Sequence, residues 1–228
     1  MITPSVPILA KTPPSPPPAP PISCLQINLR HSKLASAALS QLMLDMNVDV
    51  ACIQEPYATR DPISNSILLE NIPLNYDAFH ALSDEHAYGT AIVVKRSARA
   101  FLHPISSNEL SAICLNHNGS TLTLLSIYAR PTAPSISSVV AAPLDSLSKD
   151  LSTCVICMDS NAKNRLWNSP HTDSKGQELE DVMLSNDLYL VNNPTCELDF
   201  TPPSTNFVDV TIGGKQLVFT SWHFLPTF

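Results

Sequence analysis

The pattern of apolar and polar positions along the chain predicts many short strands and a few helices. Runs rich in β-branched residues predict strands, and apolar residues recurring every three or four positions predict helices. The predicted strands are residues 22–29, 48–54, 87–95, two within 111–129, then 153–159, 188–192, 206–212 and 216–222. The predicted helices are residues 32–47, 136–151 and 174–187, the second of which is weakened by Pro143.

Local signals fix several of these elements. Ser32 can cap the first helix, whose apolar stripe is predicted to consist of Leu34, Ala38 and Leu42, widened by Leu39 and Met46. Residues 22–54 read as strand, helix, strand, which gives a right-handed crossover if the two strands are parallel. The sequence "NHNG" at 116–119 predicts a hairpin turn, and Gly213-Gly214 predicts a second one.

Composition limits the classes of protein that the chain can represent. It has 228 residues, 44% of them hydrophobic and 14% charged, which suffices for one large domain or two small ones. The run "TPPSPPPAPP" favours polyproline II, so residues 1–21 are predicted to be a proline-rich flexible leader, or alternatively a docking segment. The net charge of −7 argues against a strongly electrostatic nucleic-acid binder, but carboxylates gathered around a cation would also add negative charge.

Cysteine usage and hydropathy indicate a reducing intracellular compartment. Six cysteines lie mostly in apolar runs, and Cys154 and Cys157 form a C-x-x-C inside "CVIC", which reads as a buried strand. No second pair stands at zinc spacing, so free buried thiols are predicted instead of a zinc site. No apolar run approaches the length of a membrane span and no signal peptide is evident, so a nuclear or cytoplasmic protein without membrane association is expected.

Polar residues recur where predicted strands end. A single acid in such a place is typical of a turn, but strand ends at one edge of packed sheets converge on a cleft. Asp159 and Asn161 are two residues apart and can point the same way. The strand-end positions are Asn28, Glu55, Tyr128, Asp159 and Asn161, with Asp209 inside its strand.

The order of these motifs resembles the endonuclease/exonuclease/phosphatase superfamily, and most of all the endonuclease domains of LINE-type non-LTR retrotransposons. The similarity covers about residues 22–222. It is carried by "IN", "QEPY", "SIYARP", "FVDVTI" and above all "DSNAKNRLWNSPHTDSKGQELEDVMLSNDLYLVN". The resemblance implies an α+β, DNase-I-like fold, in which two mostly antiparallel β-sheets pack face to face as a β-sandwich flanked by α-helices.

The resemblance also implies phosphodiester hydrolysis of DNA with Mg²⁺ or Mn²⁺ as the cofactor. Glu55 would be the metal ligand with Asn28 beside it, and Asp159 would orient or deprotonate the attacking water. Asn161 and Tyr128 would bind phosphate oxygens, and Asp209 would orient a catalytic histidine. Candidate DNA-contacting residues are Arg30, His31, Lys163 and Arg165, while Trp167 is more typical of a packing anchor.

The C-terminus departs from the family pattern. The family ends in Ser-Asp-His on a last strand, whereas this chain reads "TSWHFLPTF", so His223 is not assigned the catalytic role. We therefore expect residues 22–228 to be a C-terminally truncated domain without its last strand, and its activity to be impaired. The family's Ser or Thr near the final acid could be any of Thr195, Thr201, Ser204 and Thr205.

Three functions remain open at this point. The first is a monomeric, metal-dependent endonuclease domain of retrotransposon origin, which a reverse transcriptase domain would accompany in a longer polyprotein. The second is a catalytically dead interaction module of the same fold. The third is a phosphoesterase acting on small phosphates or lipids, which the wording of "QEPY" and "NRLWNS" makes the weaker alternative to a nuclease.

Overall fold

The structure is a computed structural model that describes residues 20–85, 88–147, 151–192 and 207–225. Within these ranges the helices are α1 (Lys33–Asp45), α2 (Ala141–Ser146) and α3 (Ser174–Ser185). The strands are β1 (Cys24–Asn28), β2 (Val50–Gln54), β3 (Ala58–Arg60), β4 (Ile67–Leu69), β5 (Tyr76–Phe79), β6 (Thr90–Lys95), β7 (Phe101–Leu102), β8 (Leu110–His117), β9 (Ser120–Tyr128), β10 (Cys154–Asp159), β11 (Leu188–Leu190) and β12 (Asp209–Gly214). Most of the predicted leader, residues 1–19, lies outside the described ranges.

The strands form two large sheets. One sheet has the order β1-β2-β6-β5 and the other has the order β11-β12-β10-β9-β8-β7, while β3 and β4 form a separate pair. β1 runs parallel to β2 and β9 parallel to β10, and every other pairing is antiparallel. The predicted crossover with parallel strands and the predicted α+β fold with two mostly antiparallel sheets are confirmed.

The two sheets pack face to face, and helices cover their outer faces. One apolar cluster joins side chains of both sheets, such as Val50 and Ile92 from one and Leu124 and Val155 from the other. A second cluster lies between the four-stranded sheet and α1. A third lies between the six-stranded sheet and the segment that contains α2, Trp167 and α3. Both sheets are thus buried on two faces, which explains why their central strands read as continuous apolar runs.

The predicted hairpin at 116–119 is present between β8 and β9. His117 pairs with Ser120, so the loop has two residues, Asn118 and Gly119. Their φ angles are 54° and 78°. Such a pair suits the right-handed twist of the flanking strands, and Asn-Gly tolerates it best.

The predicted second hairpin is wrong. Gly213 and Gly214 lie inside β12, the chain turns after them, and described residues 215–225 contain no strand. These glycines let neighbouring groups pack closely against β12. A Cβ on Gly214 would collide with the carbonyl oxygen of Leu151, and one on Gly213 would meet the Phe219 ring. Two adjacent glycines therefore look like a turn in the sequence but are required here by packing.

Two helix predictions need correction. The helix predicted for 136–151 is confined to α2, and residues 148–150 lie outside the described ranges. In α1, Ser32 does cap the helix, accepting a bond from the Ala35 amide, but the buried face is Ser36, Leu39 and Met43. Of the predicted stripe, Leu39 is buried and Leu42 is half-buried, whereas Leu34 (80% exposed), Ala38 and Met46 face outwards. The polar residue Ser36 can lie on the buried face because its hydroxyl donates to the Glu70 carbonyl (3.0 Å). A polar residue at this position interrupts the apolar pattern, so the buried face of α1 could not be recognised from the sequence.

Four short strands escaped the sequence analysis, namely β3, β4, β5 and β7. Each has two to four residues, too few to show an alternating pattern. None of the helices in the described part of the chain is long and apolar enough to cross a membrane.

The orientation of α1 gives a matched test. We expect Met43→Ala to lower the free energy of unfolding by about 2–5 kcal/mol, because it leaves a cavity where a 1% exposed side chain packs. Leu34→Ala should change it by less than about 0.5 kcal/mol. Urea denaturation of both variants measures this difference, and equal losses would contradict the packing of α1 described here.

Candidate active site

The layer between the two sheets changes from apolar to polar along every central strand, and always towards the same end. On β2 the side chains that face this layer are Val50, Cys52 and then Gln54, and on β10 they are Val155 and Cys157, followed by Asp159. β9 and β1 follow the same rule, ending at Tyr128 and Asn28. The acids predicted from strand ends therefore lie at one end of the sandwich.

Strand register brings these polar side chains side by side. In the four-stranded sheet Asn28 pairs with Gln54. In the six-stranded sheet Tyr128 pairs with Asp159, which pairs with Asp209 on its other side. Directly paired residues present their side chains on the same face of a sheet. The two rows thus meet across the gap between the sheets.

Asp159 is the centre of the arrangement. It is only 6% exposed, and its Oδ2 accepts a hydrogen bond of 2.7 Å from the Asn28 amide on the opposite sheet. Its Oδ1 accepts from the backbone N–H of Asn161 (3.3 Å). Burial raises the pKa of Asp159, the nearby Glu55 charge adds to that rise, and the two N–H donors oppose it. The result is a carboxylate whose basicity exceeds that of an ordinary aspartate.

Asn28 and Asn161 are both held by backbone contacts. The Oδ1 of Asn28 accepts from the Arg30 amide (2.9 Å), which fixes the side-chain amide so that its N–H₂ faces Asp159. Asn161 adopts a left-handed conformation with φ 44°, and its side-chain amide donates to the Ala129 carbonyl (3.0 Å). Asparagine tolerates this backbone region better than most residues. The sequence "DSN" therefore serves as a sharp turn that also presents an amide at the cleft.

Glu55 lies where β2 ends and is 9% exposed. It is a non-glycine residue with φ 47°, held by the bond from its N–H to the Gly89 carbonyl (2.8 Å) and by the bond that its carbonyl accepts from His31 (2.9 Å). Such strained positions persist only where surrounding contacts enforce them, and they are frequent at functional sites. Pro56 follows directly, so the chain cannot continue in the β-ladder.

Tyr128 stands beside Glu55. Tyr128 is only 4% exposed. Burial and the adjacent Glu55 carboxylate together raise the pKa of Tyr128 well above its usual value. The phenol therefore keeps its proton at any physiological pH. Its hydroxyl remains a hydrogen-bond donor next to the acids.

Asp209 closes the row on the other side of Asp159. The residue as a whole is exposed, although surrounding protein atoms limit the solvation of its carboxylate. That desolvation and the negative charge of Asp159 raise the pKa of Asp209 to about 7, while the Gln26 amide and the Arg30 charge act against the rise. Like charges directly opposite one another in a sheet repel. Asp209 therefore carries a proton part of the time near neutral pH.

Three polar residues that the sequence analysis did not select support this row from below. Gln26 donates to the Met158 carbonyl (3.0 Å) and accepts from the Thr211 hydroxyl (3.1 Å), which connects the two sheets. Asn192 accepts from the Thr211 N–H (3.0 Å) and donates to the Asp209 carbonyl (3.0 Å). Asn192 ends the "L-x-L-x-N" pattern, and its polarity after a short strand was the available signal. Gln26 gave its own signal as a polar residue inside the apolar run "CLQIN".

An aromatic rim stands over Tyr128. The Tyr88 ring, 52% exposed, stacks on Tyr128 with centroids 6.2 Å apart and planes 9° from parallel. His31 contacts Tyr88 edge-on at 5.6 Å, and the Arg130 guanidinium lies 5.7 Å from the Tyr88 centroid. The sequence analysis placed His31 at the DNA face but selected neither Tyr88 nor Arg130, although Arg130 lies inside "SIYARP".

The remaining predicted DNA contacts fall in two places. Arg30 is exposed and close enough to the acids for its charge to lower the pKa of both Asp159 and Asp209. Lys163 and Arg165 lie in the loop after β10, whose backbone is bonded to Asp173 and Thr172. In the same loop Trp167 is a core residue, 1% exposed and donating to the Ala162 carbonyl (3.2 Å), as predicted. The alternatives Thr195, Thr201, Ser204 and Thr205 lie outside the described residues.

The donor set suits a hard divalent cation. Glu55 and the Oδ1 of Asn28 offer oxygen ligands of the kind that Mg²⁺ and Mn²⁺ prefer. Three carboxylates, those of Glu55, Asp159 and Asp209, share one end of the molecule, and burial together with the negative charge of a neighbouring carboxylate raises the pKa values of the two aspartates. A cation bound here would relieve this excess of negative charge.

Comparison with solved structures identifies the fold. The endonuclease domain of TRAS1, a telomere-specific non-LTR retrotransposon, superposes with a TM-score of 0.69 at 22% identity, covering 86% of each chain. The AP endonuclease LMAP from Leishmania major gives 0.61 at 12% identity, covering 86% of this chain and 80% of that one. An endonuclease/exonuclease/phosphatase family protein from Leptotrichia buccalis gives 0.57 at 13%, covering 86% and 89%. The chain therefore has the fold of the endonuclease/exonuclease/phosphatase superfamily, which confirms the resemblance seen in the sequence.

A match to a family model names a narrower group of proteins than the structural superpositions do, but it covers a smaller part of the chain. Residues 122–227 match the family described as endonuclease-reverse transcriptase. This range includes Tyr128, Asp159, Asn161 and Asp209. A search of curated proteins found no match.

The coupling between the two aspartates can be measured. We expect Asp209 to titrate with a pKa of about 7 in the wild-type protein, and Asp159→Asn to lower that pKa because one negative neighbour is removed. Carboxyl ¹³C NMR across a pH series measures both values, with Asp181→Asn on the exposed side of α3 as the control that leaves Asp209 unchanged. An Asp209 pKa near 4, or one unaffected by Asp159→Asn, would contradict the geometry.

Proposed function

We propose that the chain is a DNA endonuclease domain of retrotransposon type that hydrolyses a phosphodiester with a divalent metal ion. The observation that carries the proposal is the meeting of Asn28 and Asp159 across the two sheets at 2.7 Å, next to Glu55 and Tyr128. An oriented carboxylate of raised pKa is suited to accept a proton from water. The match of residues 122–227 to endonuclease-reverse transcriptase sequences supports DNA as the substrate.

The metal site would consist of Glu55 with Asn28 beside it. Bound Mg²⁺ or Mn²⁺ would neutralise the negative charge that develops on the phosphate and leaving oxygens. Asn28 would then contact the cation through Oδ1 while its N–H₂ keeps Asp159 oriented, since an amide oxygen can accept two interactions.

The protein groups provide the rest of the reaction. Asp159 takes a proton as the water oxygen forms its bond to phosphorus, and the bond from phosphorus to the leaving oxygen of the phosphodiester breaks, that oxygen gaining a proton from solvent. Tyr128 donates its hydroxyl to a phosphate oxygen, which its raised pKa permits throughout. Asn161 donates the second hydrogen of its amide to a non-bridging oxygen, the first being used by Ala129. These neutral donors stabilise charge that increases in the transition state.

The rate of cleavage depends most on the side chain that Asp209 orients. In the family it orients a catalytic histidine, but the 228 residues contain no Ser-Asp-His tripeptide, and the groups described around Asp209 are Gln26, Asn192 and the Asp159 and Arg30 charges. We propose that the metal side of the site is complete and that the chain as it stands cleaves slowly. General acid–base groups typically contribute about 10²–10⁴-fold in rate.

Substrate selection rests on the surface around the acids. An exposed Tyr88 backed by Tyr128, His31 and Arg130 offers a ring on which a base or sugar can stack. Small phosphates and lipid head groups have no need of such a platform, which favours nucleic acid over the third alternative. The net charge of −7 will nevertheless keep the affinity for DNA low.

Plasmid nicking tests the reaction. In Mg²⁺ or Mn²⁺ the chain should convert supercoiled plasmid slowly, and an extension that adds a family-like last strand with Ser-Asp-His should raise the rate by about 10²-fold or more. Glu55→Gln and Asp159→Asn should each abolish nicking in the extended form, with Asp181→Asn as the unaffected control. Robust metal-dependent nicking that survives Asp159→Asn would show that the reaction uses another site. Folded wild-type protein that gives no nicking even when extended would favour the interaction module.

The aromatic rim makes a separate prediction. Tyr88→Ala should weaken binding of single-stranded and nicked DNA by about 1–3 kcal/mol, the usual value of one stacked base, and should raise KM more than it lowers kcat. Phe101→Ala is the matched control, an exposed aromatic on the outer edge strand β7. Fluorescence anisotropy with labelled oligonucleotides measures the binding. Equal effects of the two variants would show that Tyr88 does not serve as a stacking platform for DNA.

A further inference from the structure

Three cysteine thiols meet in the layer between the sheets, below the carboxylates. Cys24 comes from β1, Cys52 from β2 and Cys157 from β10, and their sulfur atoms all lie within 4.8 Å of one another. The Sγ atoms of Cys24 and Cys157 are 4.0 Å apart. In the part of the chain that the structure describes, this is the one group of three cysteine, histidine or carboxylate side chains gathered so tightly.

The spacing of the sulfurs matches that of metal ligands better than that of a disulfide. Bonds of about 2.3 Å from one ion place tetrahedral or trigonal thiolate ligands about 3.8–4.0 Å apart. A disulfide needs its sulfurs at about 2.05 Å, so Cys24 and Cys157 would have to approach by about 2 Å in a packed core. The thiols are therefore already close to the positions that a bound ion requires.

The surroundings also suit a soft ion. The cluster offers sulfur donors alone, whereas the site with Glu55 and Asn28 offers oxygen. Cys52 and Cys157 are buried, while Cys24 lies on the edge strand β1, where part of the residue is exposed.

We propose that Cys24, Cys52 and Cys157 form a three-thiolate site for a soft d¹⁰ ion such as Cu⁺ or Zn²⁺, distinct from the oxygen site for Mg²⁺. On binding, each thiol loses its proton to solvent as its sulfur–metal bond forms, and no electrons are transferred. Such an ion would join strands of both sheets directly beneath Asn28 and Asp159, and it would stabilise the folded chain because the unfolded chain holds no preformed site.

Cys154 shows why the sequence motif was misleading. It forms the C-x-x-C with Cys157, but its side chain lies in the cluster on the other face of the six-stranded sheet. Three residues apart on a strand means opposite faces. The partners of Cys157 come instead from strands that are more than a hundred residues away in the chain.

Cadmium titration of the reduced, metal-free 228-residue chain tests the proposal. Cd²⁺ is used as the probe in excess Mg²⁺, which occupies oxygen sites, and the ultraviolet charge-transfer absorption of cadmium thiolate reports sulfur ligation alone. We expect one Cd²⁺ per chain, a raised Tm, and slower alkylation of Cys24, Cys52 and Cys157 in mass spectrometry, with Cys114 unaffected. Cys24→Ser should weaken binding at least about 100-fold, and Cys154→Ser should leave it unchanged.

Folding is checked by circular dichroism, and Cys24→Ser is the safer variant because Cys24 is exposed. The alkylation pattern of the wild-type protein does not depend on any variant folding. Absence of thiolate absorption at one equivalent of Cd²⁺, or equal binding by wild type and Cys24→Ser, would overturn the proposal. Because the readouts are absorption, Tm and alkylation, this result is independent of whether the chain cleaves DNA.

Discussion

The hydrogen bond between Asn28 and Asp159 is the interaction on which the candidate site depends. It joins the two sheets at 2.7 Å, and it places a donor on a carboxylate that would otherwise be buried with only one. Further bonds cross the same gap below it, among them those from Gln26 to the Met158 carbonyl and from Gln54 to the Cys157 carbonyl (3.2 Å). These bonds satisfy polar groups that burial would otherwise penalise, and they set the spacing at which residues of one sheet can act on those of the other.

The gradient from apolar to polar side chains explains why a site can exist inside a sandwich. Its apolar end is a packed core of aliphatic side chains, and its polar end carries acids and amides at paired positions. Burial, together with the negative charge of a neighbouring carboxylate, raises the pKa values of Asp159 and Asp209, so keeping these acids in their charged forms costs free energy. Such a cost is characteristic of functional sites, where a cation or substrate offsets it. Glu55, held at φ 47°, belongs to the same pattern.

Much of this arrangement could be predicted from the sequence, and what was missed has physical causes. Polar residues that end apolar strands revealed Asn28, Glu55 and Asp159, because strand ends converge. Tyr88 and the Cys24 cluster were invisible, since each depends on strands that pair far apart in the chain. The face of α1 was misjudged because Ser36 is buried through a hydrogen bond to Glu70. Gly213 and Gly214 were read as a turn because close packing and chain reversal favour the same residue.

The central claim is that the polar end of the inter-sheet layer holds a hard divalent ion beside Asp159. Anomalous scattering from a crystal of the chain soaked in Mn²⁺ measures this most directly, because it locates the ion without requiring turnover. We expect a single strong peak within ligand distance, about 2.0–2.3 Å, of a Glu55 carboxylate oxygen, with Asn28 Oδ1 adjacent. If folded protein shows no peak at saturating Mn²⁺, or if the peak lies away from Glu55 and Asn28, this metal site is contradicted.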